Sequence, residues 1–477
     1  MINSVYVHID LQGSIVLCGQ LIIDPIHNRM GSFKYARKYC RHPLAYSLDP
    51  IHLPLAEGAI YETPITRHNM GIPQALLDAA PDSWGKKVLI ALLDPPPTNN
   101  LEFLVAGSGL GVGSLYFSLN KNAYDDDHVM QNLNDIHVSG GALGQSAIDQ
   151  FNQLDSPAFG DNVEVIAQTL PREFMSLEDI LETAMAIDQG KQIDRQKAIF
   201  FEYGSSLGGA RPKSLIDEFT LTENGYEWKR WIVKFRGKQD LVNYAVLEHE
   251  SMQMARDAGC NVADSKVVDT ALGSLLLVER FDINAKGHKS QLLSAYSLIN
   301  DDSQDRFGSS RDSYPNIAHI SDQICEESEK EELFRRMLVN IALGNVDDHL
   351  KNHAFVTSPG SKPKLSPAYD VLPTIGLQCS PQAIAISQQD YRQTPDNIAQ
   401  CAAEMGIDPG DAAEIAEDVL SATVDWENRF RRGGLNPKEI VIAGASLQAR
   451  EFVKAYLNSI PESERNRLKN VTSMMSI

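Results

Sequence analysis

The octapeptide Asn345-Val346-Asp347-Asp348-His349-Leu350-Lys351-Asn352 decides how this chain is read. Asp347 and Asn352 stand five residues apart, the separation at which a phosphoryl-transfer loop carries its proton acceptor and one of its metal ligands. Alone, an Asp-x-x-x-x-Asn spacing most often just caps a turn. It gains weight from what surrounds it. A second aspartate follows in Pro367-Ala368-Tyr369-Asp370-Val371-Leu372-Pro373, where another metal ligand belongs. Upstream lie a glycine-rich turn, Gly204 to Lys213, and a lysine in a strand pattern, Lys234. The four parts come in the order that phosphoryl transfer requires.

That chemistry asks for positioned cations on phosphates and a carboxylate beside the attacking hydroxyl. Apolar residues at 333, 337, 341 and at 334, 338, 342 predict a helix that stops at Gly344, so Asp347 projects from a fixed scaffold. Asn352 and Asp370 offer the hard oxygen ligands Mg²⁺ prefers, and Lys351 is placed to neutralise transferring charge. In the turn, Gly204, Gly208 and Gly209 let backbone amides approach a phosphate, although most glycine pairs between strands are simple hairpin turns. Lys234 lies on the strand face opposite Trp231, Val233 and Phe235. Glu248 shares a helical face with Tyr244, Ala245, Met252 and Ala255, where a carboxylate needs a cation. A Lys234–Glu248 pair is expected, with Glu250 as the rival. Gly107 to Ser114 looks more like a nucleotide loop, but no strand precedes it and no helix follows, so it reads as a flexible approach to the strand Leu115 to Leu119.

Around this centre the chain reads as an α+β, kinase-like two-lobe protein. Residues 1–120 form a β-rich module in which Val5, Val7 and Ile9 alternate with polar neighbours. A helical stretch from Gln74 to Leu93 ends at the prolines 95–97. Residues 121–170 are a polar insertion or linker, and 171–477 the main domain, with small-lobe strands to about 282 and a helical lobe after. Expected there are a helix Leu177 to Ile187, strands Phe200 to Tyr203 and Glu227 to Phe235, and a returning strand with Leu215 and Phe219 on one face. A helix Leu241 to Ala258, a strand Leu275 to Val278, and one amphipathic helix marked by Ile415, Val419, Ala422, Trp426 and Phe430 complete the expectation.

Bulk properties narrow the class. A length of 477 residues exceeds one ordinary core, and 43% hydrophobic with 22% charged residues is globular. No apolar run approaches a membrane span, the N-terminus shows no signal peptide, and six scattered cysteines suit reduced thiols, so a cytoplasmic protein is expected. A formal charge of −20 argues against generic nucleic-acid binding, so a role on DNA would come through a partner.

These motifs together resemble the HipA-type serine/threonine kinases, the toxin halves of bacterial type II toxin–antitoxin modules. The resemblance covers nearly the whole chain. It rests on Ala80-Pro81-Asp82-Ser83-Trp84-Gly85, the turn ending in Ala210-Arg211-Pro212-Lys213, Trp231 to Phe235, Val278-Glu279-Arg280-Phe281-Asp282, the octapeptide and Tyr369-Asp370. It implies Asp347 as catalytic base with Lys351 beside it, and Asn352 and Asp370 as Mg²⁺ ligands. It further implies Ser206, Gly208, Gly209, Lys213, Lys234, Glu248 and His349 at ATP, with Glu279 and Phe281 lining the adenine pocket. Ser206, or Ser205 beside it, would be autophosphorylated, placing about −1.5 to −2 charges where ATP's phosphates must sit. A small helix-turn-helix, HipB-like antitoxin that carries the pair to DNA is implied, and a protein substrate that in characterised relatives is an aminoacyl-tRNA synthetase. Asp348 and the acidic 121–170 stretch depart from the family's commonest pattern. Two other readings stay open: a small-molecule or lipid phosphotransferase, and a pseudokinase serving as co-repressor with its antitoxin.

Overall fold

The computed structural model describes residues 3–26, 29–93, 95–109, 111–121, 165–166, 177–188, 211–222, 225–237, 240–271, 273–299, 312–376 and 380–465, and every statement below concerns these. The glycine turn through residue 210, with Ser205, Ser206, Gly208 and Gly209, and the expected strand Phe200 to Tyr203 lie outside them.

The first sheet holds β1 (Ser4–Leu11), β2 (Ser14–Asp24), β3 (Met30–Tyr35), β4 (Ile60–Pro64), β5 (Leu115–Ser118) and β6 (Val165–Ile166). Its order is β4-β3-β2-β1-β5, and β6 adds to β2 through Ser14 and Ile15. The alternation along β1 predicts one wet face, yet both faces are buried, leaving His8 and Asp10 inside. Asp10 Oδ2 accepts from the Lys289 amide at 3.1 Å, so the polar face packs on the main domain.

The helical stretch expected from Gln74 to Leu93 is broken. Gln74–Leu77 is a single turn, and the helix restarts as Ser83–Leu92. Pro81 supplies no amide donor, and the Asp82 carboxylate caps the new helix by accepting from the Gly85 amide at 2.7 Å.

The small-lobe sheet is β7 (Lys213–Thr222), β8 (Gly225–Lys234), β9 (Ser265–Thr270) and β10 (Gly273–Glu279), in the order β7-β8-β10-β9 with antiparallel neighbours. Helix Tyr244–Asp257 packs on it, capped by Asn243 and stopped where Gly259 takes φ +89°. Beyond lie β11 (Gln291–Ser294), β12 (Ala354–Thr357), β13 (Lys364–Leu365) and the helical lobe. The long pattern from Ile415 to Phe430 is two helices, Pro409–Ala422 and Trp426–Gly433. Thr423 turns its hydroxyl back to the Val419 carbonyl at 2.7 Å, and the backbone leaves the helix there. The apolar spacing survives because both pieces face one core. Among the described residues no helix is long and apolar enough to cross a membrane.

Candidate functional site

Helix Lys330–Leu343 ends in a left-handed Gly344, φ +68°, which throws the chain into the octapeptide. Asp347 and His349 are exposed, while Asn345, Asp348 and Asn352 are buried. Leu350–Asn352 forms one 3₁₀ turn leading directly into β12, so a sheet strand anchors the loop's far end. Thr374 and Asn345 tie the loop to the Asp370 segment. The Val346 amide donates to Thr374 Oγ1 at 3.1 Å, the Thr374 amide to the Gly344 carbonyl at 3.0 Å, and Asn345 Nδ2 lies 3.4 Å from the Asp370 carbonyl. Asp370 itself adopts φ +59°, unusual for a residue with a Cβ and the kind of backbone strain found at functional sites.

Lys234 points from β8 into the gap between the lobes. Its Nζ lies 2.6 Å from Glu248 Oε1 and also contacts Asp370 Oδ1. Of the two partners considered for Lys234, Glu248 takes it; Glu250 faces Arg429 at 4.0 Å. Burial disfavours the Lys234 charge, but Asp370 and Glu248 more than offset it and hold the ammonium protonated. Burial likewise opposes ionisation of Asp370, yet Lys234 keeps that carboxyl below the usual carboxylate range. Glu248, deeper in the apolar helix face, is pushed up by burial against the pull of Lys234. A small, open pocket lies beside the pair, lined among others by Arg211, Lys234, Tyr244, Glu248 and Leu276.

The end of the glycine turn is fixed on two sides. Arg211 Nη1 meets Asp240 Oδ2 at 2.8 Å and its guanidinium lies 3.8 Å above the Tyr244 ring. Lys213, only 1% exposed, carries its Nζ to Asp82 Oδ2 at 2.7 Å, while Trp84 Nε1 donates to the Lys213 carbonyl at 2.8 Å. Lys213 is thus buried on an acid of the N-terminal module and still within electrostatic reach of Lys234 and Asp370. Glu279 accepts from Lys229 at 2.7 Å, and the Phe281 ring lies 5.7 Å from that of Tyr369, whose hydroxyl donates to the Lys351 carbonyl. Lys351 Nζ sits 5.3 Å over the Tyr296 ring.

The Gly107–Ser114 segment differs from the flexible approach expected of it. A helix, Asn100–Ala106, precedes it, and side chains of the main domain grip it. The Gly113 amide donates to Asp282 Oδ2 at 2.8 Å, Arg280 Nη2 to the Gly111 carbonyl at 3.0 Å, and Lys289 Nζ to the Gly109 carbonyl at 2.6 Å. Arg280 and Asp282 form a buried ion pair, so the 278–282 motif holds the N-terminal module. Sequence reasoning noticed both stretches but gave no partner to Asp82, Arg280, Asp282 or Trp84. It also missed Tyr314 and His353, which flank Asp348 in space. Their separation along the chain hid them.

Asn352 and Asp370 offer hard oxygen donors, and the Asn352 carboxamide has no side-chain hydrogen bond among the described residues. No cluster of three or more His, Cys, Asp or Glu suited to a metal occurs among those residues.

Residues 205–426 match the HipA-like C-terminal domain. Over 183 residues the chain is 27% identical to a curated protein of Haemophilus influenzae named "Putative kinase", covering 35% of this chain and 52% of that one. Over 222 residues it is 29% identical to "Putative kinase Y4dM" of Sinorhizobium fredii, covering 42% of this chain and 50% of the relative. The chain therefore spans about half the length of these curated relatives. In three dimensions it superposes, with a TM-score of 0.54 at 16% identity, on a chain from the complex of the Shewanella oneidensis HipA–HipB toxin–antitoxin system with its operator DNA. The match covers 96% of this chain and 99% of that one, and it concerns the fold. By sequence, then, residues 205–426 of this protein match the HipA-like C-terminal domain, and by fold the chain resembles the HipA chain of that complex.

Proposed function

We propose that this protein is an ATP- and Mg²⁺-dependent protein serine/threonine kinase that arrests growth as the toxin of a toxin–antitoxin pair. The observation that carries the reading is the convergence of Lys234, Glu248 and Asp370 from three separate elements, with Asn345 and Thr374 binding the Asp370 segment to the loop that bears Asp347.

Lys234, held charged by two carboxylates, is preset to receive nucleotide phosphate, and Glu248 keeps it aimed. Asn352 and Asp370 are the residues that would hold Mg²⁺, which when bound offsets phosphate charge. Asp347, exposed at the head of the loop, takes the proton of the attacking serine hydroxyl as its oxygen bonds to the γ-phosphorus and ADP leaves. Glu279 and Phe281 border the base, and Lys351 lies near the transferring charge. Ser206 or Ser205 is the self-modification site. A helix-turn-helix antitoxin is the partner, and through it the acidic chain reaches DNA.

Intact mass after incubation with ATP and Mg²⁺ tests the reading. The expected outcome is a gain of one phosphate on Ser205 or Ser206 in the wild type, slowed by about 10²–10⁴ in Asp347→Ala. Equal rates in the two proteins would overturn the assignment of Asp347. A chain that gains nothing, and carries no phosphate at the start, would point to another phosphotransferase class or a pseudokinase.

A further inference from the structure

Asp348 has no part in the roles above, nor has His353 immediately after the octapeptide. The fold brings them together beneath the loop. His353 Nε2 lies 3.0 Å from Asp348 Oδ2, and the Tyr314 hydroxyl donates to the same oxygen. The Tyr314 and His353 rings meet edge to face, 5.5 Å between centres. Tyr314, Asp348 and His353 are 1%, 3% and 2% exposed. At the start of the loop, Asn340 Oδ1 accepts from Asn345 Nδ2 at 2.9 Å. The same Nδ2 faces the Asp370 carbonyl. Two buried hydrogen-bonded groups therefore hold the loop: Asn340–Asn345–Asp370 at its start and Tyr314–Asp348–His353 at its end. Asp347 lies just outside the Asp348–His353 link and Asn352 just inside it.

A buried carboxylate is costly unless its lone pairs are met, and here both donors come from residues that enclose the loop. Tying residue 348 to residue 353 closes a short arc of backbone at both ends. Anchoring that arc to Tyr314, whose own amide is bonded to the Ala385 carbonyl at 3.1 Å, fixes it to the helical lobe. The base before the arc and the metal ligand within it then cannot shift independently of the Asp370 turn.

We infer that Tyr314, Asp348 and His353 are positioning residues that lock Asp347, Asn352 and Asp370 into one geometry for phosphoryl transfer. The catalytic consequence rests on the kinase reading above; the mechanical coupling does not.

The test uses the full chain and compares wild type with His353→Leu, His353→Gln and Tyr314→Phe. Three quantities are read: the rate of phosphate gain at saturating ATP, the affinity for ATP, and amide hydrogen exchange over 345–353 and 369–374. His353→Leu should exchange faster in both segments and slow transfer by about 10–100-fold at unchanged ATP affinity, since small misplacements act on the reacting geometry. His353→Gln, whose amide still donates to Asp348, should keep the rate within about threefold. Tyr314→Phe removes a single oxygen and carries the same test should His353→Leu not fold. Unchanged exchange at 369–374 in both His353→Leu and Tyr314→Phe would overturn the inference, as would a rate loss matched by equal loss of ATP affinity. Coupled exchange in a chain whose wild type transfers no phosphate would uphold the coupling and sink the kinase reading instead.

Discussion

At the scale of single residues, the junction between the N-terminal module and the main domain contains an unusual lysine. Lys289 Nζ donates to the Gly109 carbonyl and lies 4.7 Å over the Tyr116 ring. Burial, with Arg280 nearby, lowers its pKa to about 7 despite Asp282 and Asp10. An exposed lysine titrates near 10.4. Between those values the unfolded chain holds a proton that the folded chain lacks, so stability rises with pH from about 7 towards 10, by at most ~1.4 kcal/mol per unit. Below pH 7 both states are protonated and this dependence vanishes. Lys289→Met should abolish the rise in urea midpoint across that window; an equal rise in both proteins would count against it. None of this was legible beforehand, because a lysine after Gly287-His288 reads as a solvated turn.

Among the elements, the helix Lys330–Leu343 and its stop were readable because two apolar stripes at helical spacing end at a glycine. The side chain of that position is excluded twice over. Its φ is +68°, and a Cβ there would press on the Ser446 carbonyl. Gly344→Ala should therefore destabilise the chain by about 1–3 kcal/mol and disturb the loop that follows. Thermal unfolding together with the transfer rate checks this, and a variant as stable and active as wild type would refute it. Periodicity failed where an axis bends without changing the buried face. Helices Pro409–Ala422 and Trp426–Gly433 keep one apolar spacing across a break, and the 74–93 stretch was read through a proline that ends it.

For the molecule as a whole, the N-terminal module is part of the small lobe's core. Trp84 and Val88 pack with Trp231, Val233, Phe235, Leu275 and Leu277. Trp84 is fully buried and caps the Lys213 carbonyl, next to the end of the glycine turn. Trp84→Ala should cost about 3–5 kcal/mol, and exchange in β7 and β8 should accelerate before that of the helical lobe. Uniform acceleration across both lobes, or a cost below about 1 kcal/mol, would show that the module does not support the sheet in this way.

The sequence by itself singled out the candidate residues for phosphoryl transfer. An aspartate and an asparagine five apart after a helix stop, a second aspartate downstream and a strand lysine opposite an apolar face are local patterns, set by spacing alone. It also determined the order of a β-rich and a helical lobe. Only the tertiary structure decided the partners: Glu248 rather than Glu250 for Lys234, Asp82 for Lys213, Asp282 and Arg280 for the 107–114 segment, Tyr314 and His353 for Asp348. A buried charge takes whichever counter-group the packing of distant elements delivers within hydrogen-bond range, and no periodicity in the chain records that distance.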